Sequence, residues 1–136
     1  MMSLPKILFV CVENTGRSQI AEGFFRKHAK NFEVASAGTE PKSNLNPIVI
    51  QVMREIGIDI TKQTPKLLSN EMIQESFRTV NMGCIDRESC PSLFVKDMLD
   101  WDIVDPKGKS IEDIRKIRDK IELEVVALIK KLEADL

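Results

Sequence analysis

The chain has 136 residues, a size typical of one domain built on a single hydrophobic core. Hydrophobic residues make up 43% and charged residues 30%, a balance that excludes an intrinsically disordered chain. The 20 Lys and Arg against 21 Asp and Glu leave a net charge of -1, which argues against nucleic-acid binding. No apolar run approaches the roughly 18 residues of a membrane-spanning helix, and no signal-peptide pattern is present. We therefore expect a cytoplasmic protein that binds neither nucleic acid nor membrane, and we take it to be a monomer.

A strand, a polar loop and a helix are predicted at the start of the chain. Residues 6–10, Lys-Ile-Leu-Phe-Val, form an apolar run typical of a strand buried on both faces of a parallel sheet. After the polar residues that follow, small and apolar side chains recur at helical spacing, at Ile20, Ala21, Phe24 and Phe25.

The alternation continues along the chain. A second short strand is predicted at residues 32–35, and Gly38 behind it is expected to supply a positive φ for the turn. Pro47 begins a helix that Gly57 ends, and Ser69 caps a shorter helix.

Two further strands and a long helix complete the predicted fold. The strands are expected at residues 77–82 and 101–104, and apolar residues with a period of roughly 3.5 between 111 and 132 predict an amphipathic helix. The whole pattern indicates a single α/β domain, residues 1–136, with three layers: a doubly wound sheet of about four parallel strands with helices on both faces.

Three reactive side chains follow three of the predicted strands. Cys11, Cys84 and Asp105 each come directly after a strand, and the carboxyl ends of parallel strands meet at one edge of the sheet, where ligands bind. The cysteines, with Cys90 as the third, are an odd number, which argues against a disulfide framework and favours reactive chemistry or metal binding.

The loop after the first strand has the composition of an oxyanion cradle. Cys11 and Arg17 are separated by five residues, a length over which successive backbone amides can turn inward at a helix N-terminus. The expected oxyanion-binding residues are Val12, Glu13, Asn14, Thr15, Gly16, Arg17 and Ser18.

Particular positions in this loop suit that task. Arg17 offers a planar fork for two oxyanion oxygens, and the amides together with the Ser18 hydroxyl would stabilise the Cys11 thiolate. Gly16 fits a sharp turn, and Asn14 tolerates left-handed geometry. The competing interpretation is that Cys11 is an inert residue ending a buried strand and that Arg17 merely opens a surface helix.

The segment 10–24, Val-Cys-Val-Glu-Asn-Thr-Gly-Arg-Ser-Gln-Ile-Ala-Glu-Gly-Phe, resembles the low-molecular-weight protein tyrosine phosphatase superfamily, and more closely the thioredoxin-coupled arsenate reductases built on that fold. The similarity extends over nearly the whole chain, through Ser-Ala-Gly at 36–38, Asn-Met-Gly-Cys at 81–84, Asp-Trp-Asp at 100–102 and Asp-Pro-Lys-Gly at 105–108. Phosphatases of this superfamily commonly carry aromatic residues after the Asp-Pro pair, where this chain has Lys107 and Gly108. The resemblance therefore favours a small inorganic oxyanion, with arsenate, phosphate or sulfate in the loop.

The resemblance implies a relay of thiols. Cys11 would attack arsenate with Asp105 as general acid, and Cys84 would then attack Cys11, releasing arsenite. Cys90 would attack Cys84 and carry the disulfide outward to thioredoxin or a similar thiol reductant. The spacer between the last two cysteines is short and charged, which departs from the better-known members.

No tightly bound cofactor is expected, and potassium and zinc are the two candidate metal ions. Asn14, Glu22 and Ser36 match positions that hold potassium in some related reductases. A structural zinc at Cys84 and Cys90 lacks candidate ligands, because His28 is the only histidine.

Two other functions remain open. The first is a low-molecular-weight phosphatase, which would need Cys11, Arg17 and Asp105 but neither of the later cysteines. The second is a non-catalytic oxyanion-binding or redox-sensing module, in which the cysteines switch conformation for a partner.

Overall fold

The computed structural model describes residues 4–83 and 98–135 of the chain. In chain order the elements are β1 (Lys6–Cys11), α1 (Arg17–His28), β2 (Glu33–Gly38), α2 (Pro47–Arg54), α3 (Asn70–Glu75), β3 (Arg78–Asn81), β4 (Leu99–Asp100) and α4 (Ile111–Ala134). Among these described residues, no helix is long and apolar enough to cross a bilayer.

The strands form one parallel sheet in the order β2-β1-β3-β4. Alternate residues of β1 face opposite sides: Phe9 packs in the core that includes residues of α1, α2 and α4, whereas Leu8 packs with Ile73 of α3. Helices therefore cover both faces of the sheet, and the predicted three-layer α/β fold is confirmed.

The fourth strand was predicted in the wrong place. It was expected at residues 101–104, but β4 pairs with β3 only at Leu99–Asp100, and the Trp101 amide adds one hydrogen bond to the carbonyl of Asn81. Since β3 itself ends at Asn81, it offers residues 101–104 no further strand partner. Two of the apolar residues that suggested a strand pack in the core instead: Ile103 is buried, and the centre of the Trp101 ring lies 5.7 Å from that of Phe9.

The expected role of Gly38 was also wrong. The glycines with positive φ among the described residues are Gly57, Gly83 and Gly108, whereas Gly38 belongs to β2. Glycine is required there by close packing, because a Cβ at this position would lie 2.5 Å from the carbonyl oxygen of Val12.

A charged cluster joins α2 to α4. Arg118, which is 9% exposed, donates to the Val52 carbonyl at 2.9 Å and to Glu55 at 3.1 Å. Arg115 binds both oxygens of the same carboxylate, at 3.0 and 2.6 Å. The pKa of Glu55 is held below its usual value, chiefly by the hydrogen bonds from Arg115. The charge of Arg115 and the hydrogen bond and charge of Arg118 lower it further.

Candidate functional site

Cys11 is the last residue of β1 rather than the first residue after it, and it is 2% exposed. Its Sγ lies 2.8 Å from the hydroxyl oxygen of Ser18. That hydroxyl accepts a hydrogen bond of 2.7 Å from Nδ2 of Asn14, so its own proton is available for the sulfur. The contact can therefore stabilise a thiolate at Cys11.

Hydrogen bonds from other segments to its backbone carbonyls hold the loop that follows Cys11. Every backbone carbonyl from Cys11 to Gly16 accepts a hydrogen bond. The donors, in order, are the amides of Thr39, Glu40 and Lys42, the Nε2 of Gln19, and the amides of Asn46 and Ile20. The amides of the loop have no such partners: within residues 4–83 and 98–135, none from Val12 to Ser18 donates to a protein acceptor. Free amides at a helix N-terminus are the donors that an anion-binding nest requires.

Asn14 fixes the shape of this loop. It is fully buried and adopts the left-handed φ of +55° that was predicted as tolerable for it. Besides its bond to Ser18, its Oδ1 accepts from the Lys66 amide at 2.9 Å. The backbone turn is therefore locked to segments on two sides, and the nest is preorganised.

Arg17 begins α1 and points into the site. It is 9% exposed, its Nη1 donates to the Ile103 carbonyl at 3.2 Å, and its Nη2 lies 3.7 Å from Oδ2 of Asp105. These contacts hold the guanidinium, and Arg17 lines one pocket together with Cys11 and the loop, where it can bind an oxyanion bidentately.

Asp105 reaches the site by a different route from the one expected. It was predicted directly after a strand, yet β4 ends at Asp100 and the chain crosses residues 101–104 before arriving. The following Pro106 packs on Gly16 so closely that a Cβ on this glycine would lie 2.7 Å from Cγ of the proline. Gly16, whose φ is -130°, therefore serves this close approach rather than a turn with positive φ.

These residues surround a small pocket, lined by Cys11, Glu13, Thr15, Gly16, Arg17 and Asp105. Next to it lies a wider cleft with a volume of ≈ 350 Å³. The cleft shares Glu13, Thr15, Gly16 and Asp105 with the pocket and adds, among others, Lys42, Asn44 and Lys107. Lys107 also pairs with Glu13 at 3.2 Å, so the boundary between the two spaces is polar.

The predicted Cys84 and Cys90 lie outside the described residues. Gly83, directly before Cys84 in the sequence, is described and lies against Arg17. Gly83 therefore lies beside one of the residues that line the pocket.

The side chains expected to bind potassium, those of Asn14, Glu22 and Ser36, form hydrogen bonds with other protein groups. Oε1 of Glu22 accepts from the Ser36 hydroxyl at 2.6 Å, and Oε2 pairs with Arg26 at 2.7 Å. The Oδ1 of Asn14 accepts from the Lys66 amide. Because Arg26 already neutralises the carboxylate, this arrangement does not fit a bound potassium ion. Among the described residues, no group of three or more His, Cys, Asp or Glu could hold a metal ion either.

Sequence reasoning missed several supporting residues. Gln19, fully buried at the start of α1, donates to the Asn14 carbonyl and accepts from Gln63 at 2.8 Å. The segment 39–46 supplies most of the amides that hold the loop carbonyls. A glutamine in the first turn of the predicted helix was the one visible feature, whereas backbone donors in an irregular segment leave no signal in the sequence.

The chain is similar to known enzymes over most of its length. An arsenate reductase of Staphylococcus aureus is 36% identical over 127 residues, which cover 91% of this chain and 95% of that protein. A thioredoxin-dependent arsenate reductase of Corynebacterium glutamicum superposes with a TM-score of 0.84 and 34% identity, covering 98% of this chain and 64% of that one. The YwlE arginine phosphatase from Geobacillus stearothermophilus gives a TM-score of 0.85 and 28% identity, covering 96% and 94%. The family model of the low molecular weight phosphotyrosine protein phosphatases matches residues 6–136. The chain therefore belongs to the low molecular weight phosphotyrosine protein phosphatase family.

Proposed function

We propose that the protein reduces arsenate to arsenite, with Cys11 as the nucleophile. The observation that carries the proposal is the loop after β1: protein donors bind its carbonyls, whereas its amides from Val12 to Ser18 donate to no protein acceptor within residues 4–83 and 98–135. With Arg17 alongside, this loop suits a tetrahedral oxyanion placed over the Cys11 sulfur. The relatives that are arsenate reductases supply the choice of reaction.

The first step forms a bond between the Cys11 sulfur and arsenic. The thiolate, stabilised by the Ser18 hydroxyl and the loop amides, attacks arsenate bound by Arg17. One arsenic-oxygen bond breaks, and the departing oxygen leaves as water after taking a proton from Asp105. Asp105 lies near Arg17 and lines the pocket, which supports its role as the general acid. Arsenic is still pentavalent at this point.

The second step transfers two electrons. The Cys84 thiolate attacks the Cys11 sulfur, the sulfur-arsenic bond breaks, and its electron pair stays on arsenic, which leaves as arsenite. A disulfide between Cys11 and Cys84 remains. Cys90 then attacks Cys84, which frees the Cys11 thiolate and leaves a disulfide between Cys84 and Cys90. Gly83, the residue before Cys84, lies against Arg17. This position supports the participation of Cys84.

The oxidised protein then needs an external dithiol. Thioredoxin or a similar reductant would reduce the final disulfide, which restores all three thiols. We place this cycle in the cytoplasm, where thiols are kept reduced, and assign it to a monomer without a resident cofactor.

Serine variants of the cysteines test this function. With a dithiol reductant and arsenate in excess, Cys84→Ser should release no arsenite yet still bind inorganic phosphate like the parent. Cys11→Ser should lose arsenite release as well, and Cys90→Ser should allow one turnover but not repeated turnover. Full turnover by Cys84→Ser would refute the relay. Phosphate binding with a reversible disulfide, but no turnover in the parent protein, would indicate a binding or redox-sensing module instead.

Phosphatase activity is a second candidate, favoured by the cleft of ≈ 350 Å³ beside the pocket. Inorganic arsenate has no leaving group that would fill this space, whereas a phosphoryl ester does. Asp105 lines both spaces, so it could protonate a leaving group that lies in the cleft. Hydrolysis of para-nitrophenyl phosphate should then depend on Cys11 and Asp105 and be unchanged in Cys84→Ser. Rapid hydrolysis together with no arsenite release would make phosphatase the primary function.

A further inference from the structure

Gly83 adopts a backbone conformation that strongly favours glycine. Its φ is +129°, a value that residues with a side chain rarely adopt. Its amide donates to Oδ1 of Asn81 at 3.0 Å, so the end of β3 holds the glycine in place. The conformation is therefore built into the fold by its neighbour.

The space beside Gly83 is filled by the Arg17 side chain. A Cβ added to this glycine would overlap Nη1 of Arg17 and would lie 2.7 Å from Cζ and 3.1 Å from Nη2. All three of its nearest neighbours are guanidinium atoms, so the bare Cα packs directly against the charged group.

The contact with Gly83 completes the support of Arg17. The Ile103 carbonyl accepts from Nη1, and the Asp105 carboxylate lies 3.7 Å from Nη2, but each is a polar contact that directs one nitrogen of the fork. Gly83 adds a steric wall. A fork held on several sides loses little freedom when it binds an oxyanion, so more of its binding energy is realised.

From this geometry we infer that Gly83 is a positioning residue for Arg17, whose missing side chain sets where the guanidinium meets the bound oxyanion. The inference rests on the oxyanion-binding role of Arg17 in the proposed function. It adds a reason why Cys84 is preceded by glycine: the residue before it forms part of the wall of the oxyanion site.

Binding of inorganic phosphate to the reduced protein tests the inference without any redox step. In titration calorimetry, Gly83→Ala should weaken phosphate binding by about tenfold or more, as expected when a charge-assisted pair is misplaced. Gly57→Ala is the matched control, because its φ of +83° also disfavours alanine while no atom lies within 4 Å of the added Cβ. That variant should lose stability and keep its phosphate affinity.

A double-mutant cycle separates the clash from general strain. In an Arg17→Lys background no guanidinium stands in the way, so Gly83→Ala should change phosphate affinity by less than about threefold. An equal loss in both backgrounds, or no loss in either, would overturn the inference. A parent protein that binds phosphate but does not reduce arsenate would refute the proposed function and leave the role of Gly83 intact.

A spectroscopic test covers the case in which Gly83→Ala does not fold. In the phosphate-free parent protein, the Nε–Hε group of Arg17, identified by its loss in Arg17→Lys, should give a resolved NMR signal distinct from those of exposed arginines. The signal should persist in Asp105→Asn, because Gly83 and the Ile103 carbonyl still hold the guanidinium. A signal that merges with those of the exposed arginines would overturn the inference.

Discussion

Replacing Asn14 tests how the oxyanion loop is held. In Asn14→Ala two hydrogen bonds are lost, the buried one to the Ser18 hydroxyl and the partly buried one from the Lys66 amide. At about 1 kcal/mol each, they account for roughly 2 kcal/mol of unfolding free energy. Alanine at a φ of +55° adds about 1 kcal/mol of backbone strain. We therefore expect a total loss of about 3 kcal/mol.

A comparison with Asn14→Gly separates these contributions. Glycine loses the same hydrogen bonds but adopts the left-handed conformation freely, so this variant should be more stable than Asn14→Ala by about 1 kcal/mol. Asn44→Ala, at an exposed asparagine of the adjacent cleft, is the control and should stay within about 0.5 kcal/mol of the parent.

Denaturant unfolding gives these free energies, and thermal unfolding checks them at roughly 4 °C per kcal/mol for a chain of this size. The reasoning would be refuted if Asn14→Ala lost less than about 1 kcal/mol, or if the alanine and glycine variants were equally stable.

Other predictions concern the Cys11 thiolate, potassium binding and the pH dependence of stability. Ser18→Ala should slow alkylation of Cys11 by iodoacetamide at neutral pH by about tenfold, because the thiolate loses a hydroxyl donor; unchanged kinetics would contradict this. Replacing potassium by sodium in the buffer should leave the melting temperature unchanged, because Arg26 neutralises the buried Glu22 carboxylate. A melting temperature that is higher in potassium than in sodium would contradict this. The pKa of Glu55 is lowered in the folded protein, so its pairing stabilises above the ordinary glutamate pKa and is lost as the pH falls. Glu55→Gln should therefore destabilise the protein at pH 7 and progressively less below about pH 4, as followed by denaturant unfolding; a deficit that does not vary with pH would contradict the assignment.

The centre of the site could be predicted because its signals are local. Cys11 and Arg17 lie within one strand-loop-helix unit, where the apolar run, the polar loop and the helical spacing fix their relation. Asn14 was likewise predictable, because few side chains tolerate left-handed geometry.

What the sequence could not show depends on contacts between distant segments. Three glycines lie close to residues distant from them in the sequence: Gly16 packs against Pro106, Gly38 against the Val12 carbonyl, and Gly83 against Arg17. No periodic pattern in the sequence predicts such contacts. The short β4 depends on where its partner strand ends, so its own apolar residues gave the wrong bounds. The donors from residues 39–46 are backbone amides, which every sequence carries.

A single turnover tests the central claim most directly. Fully reduced protein is mixed with excess arsenate and no external reductant, and the arsenite released and the free thiols remaining are counted per chain. The proposed relay predicts one arsenite per chain and the loss of two of the three cysteine thiols. No arsenite and three intact thiols, in protein that still binds phosphate, would contradict it.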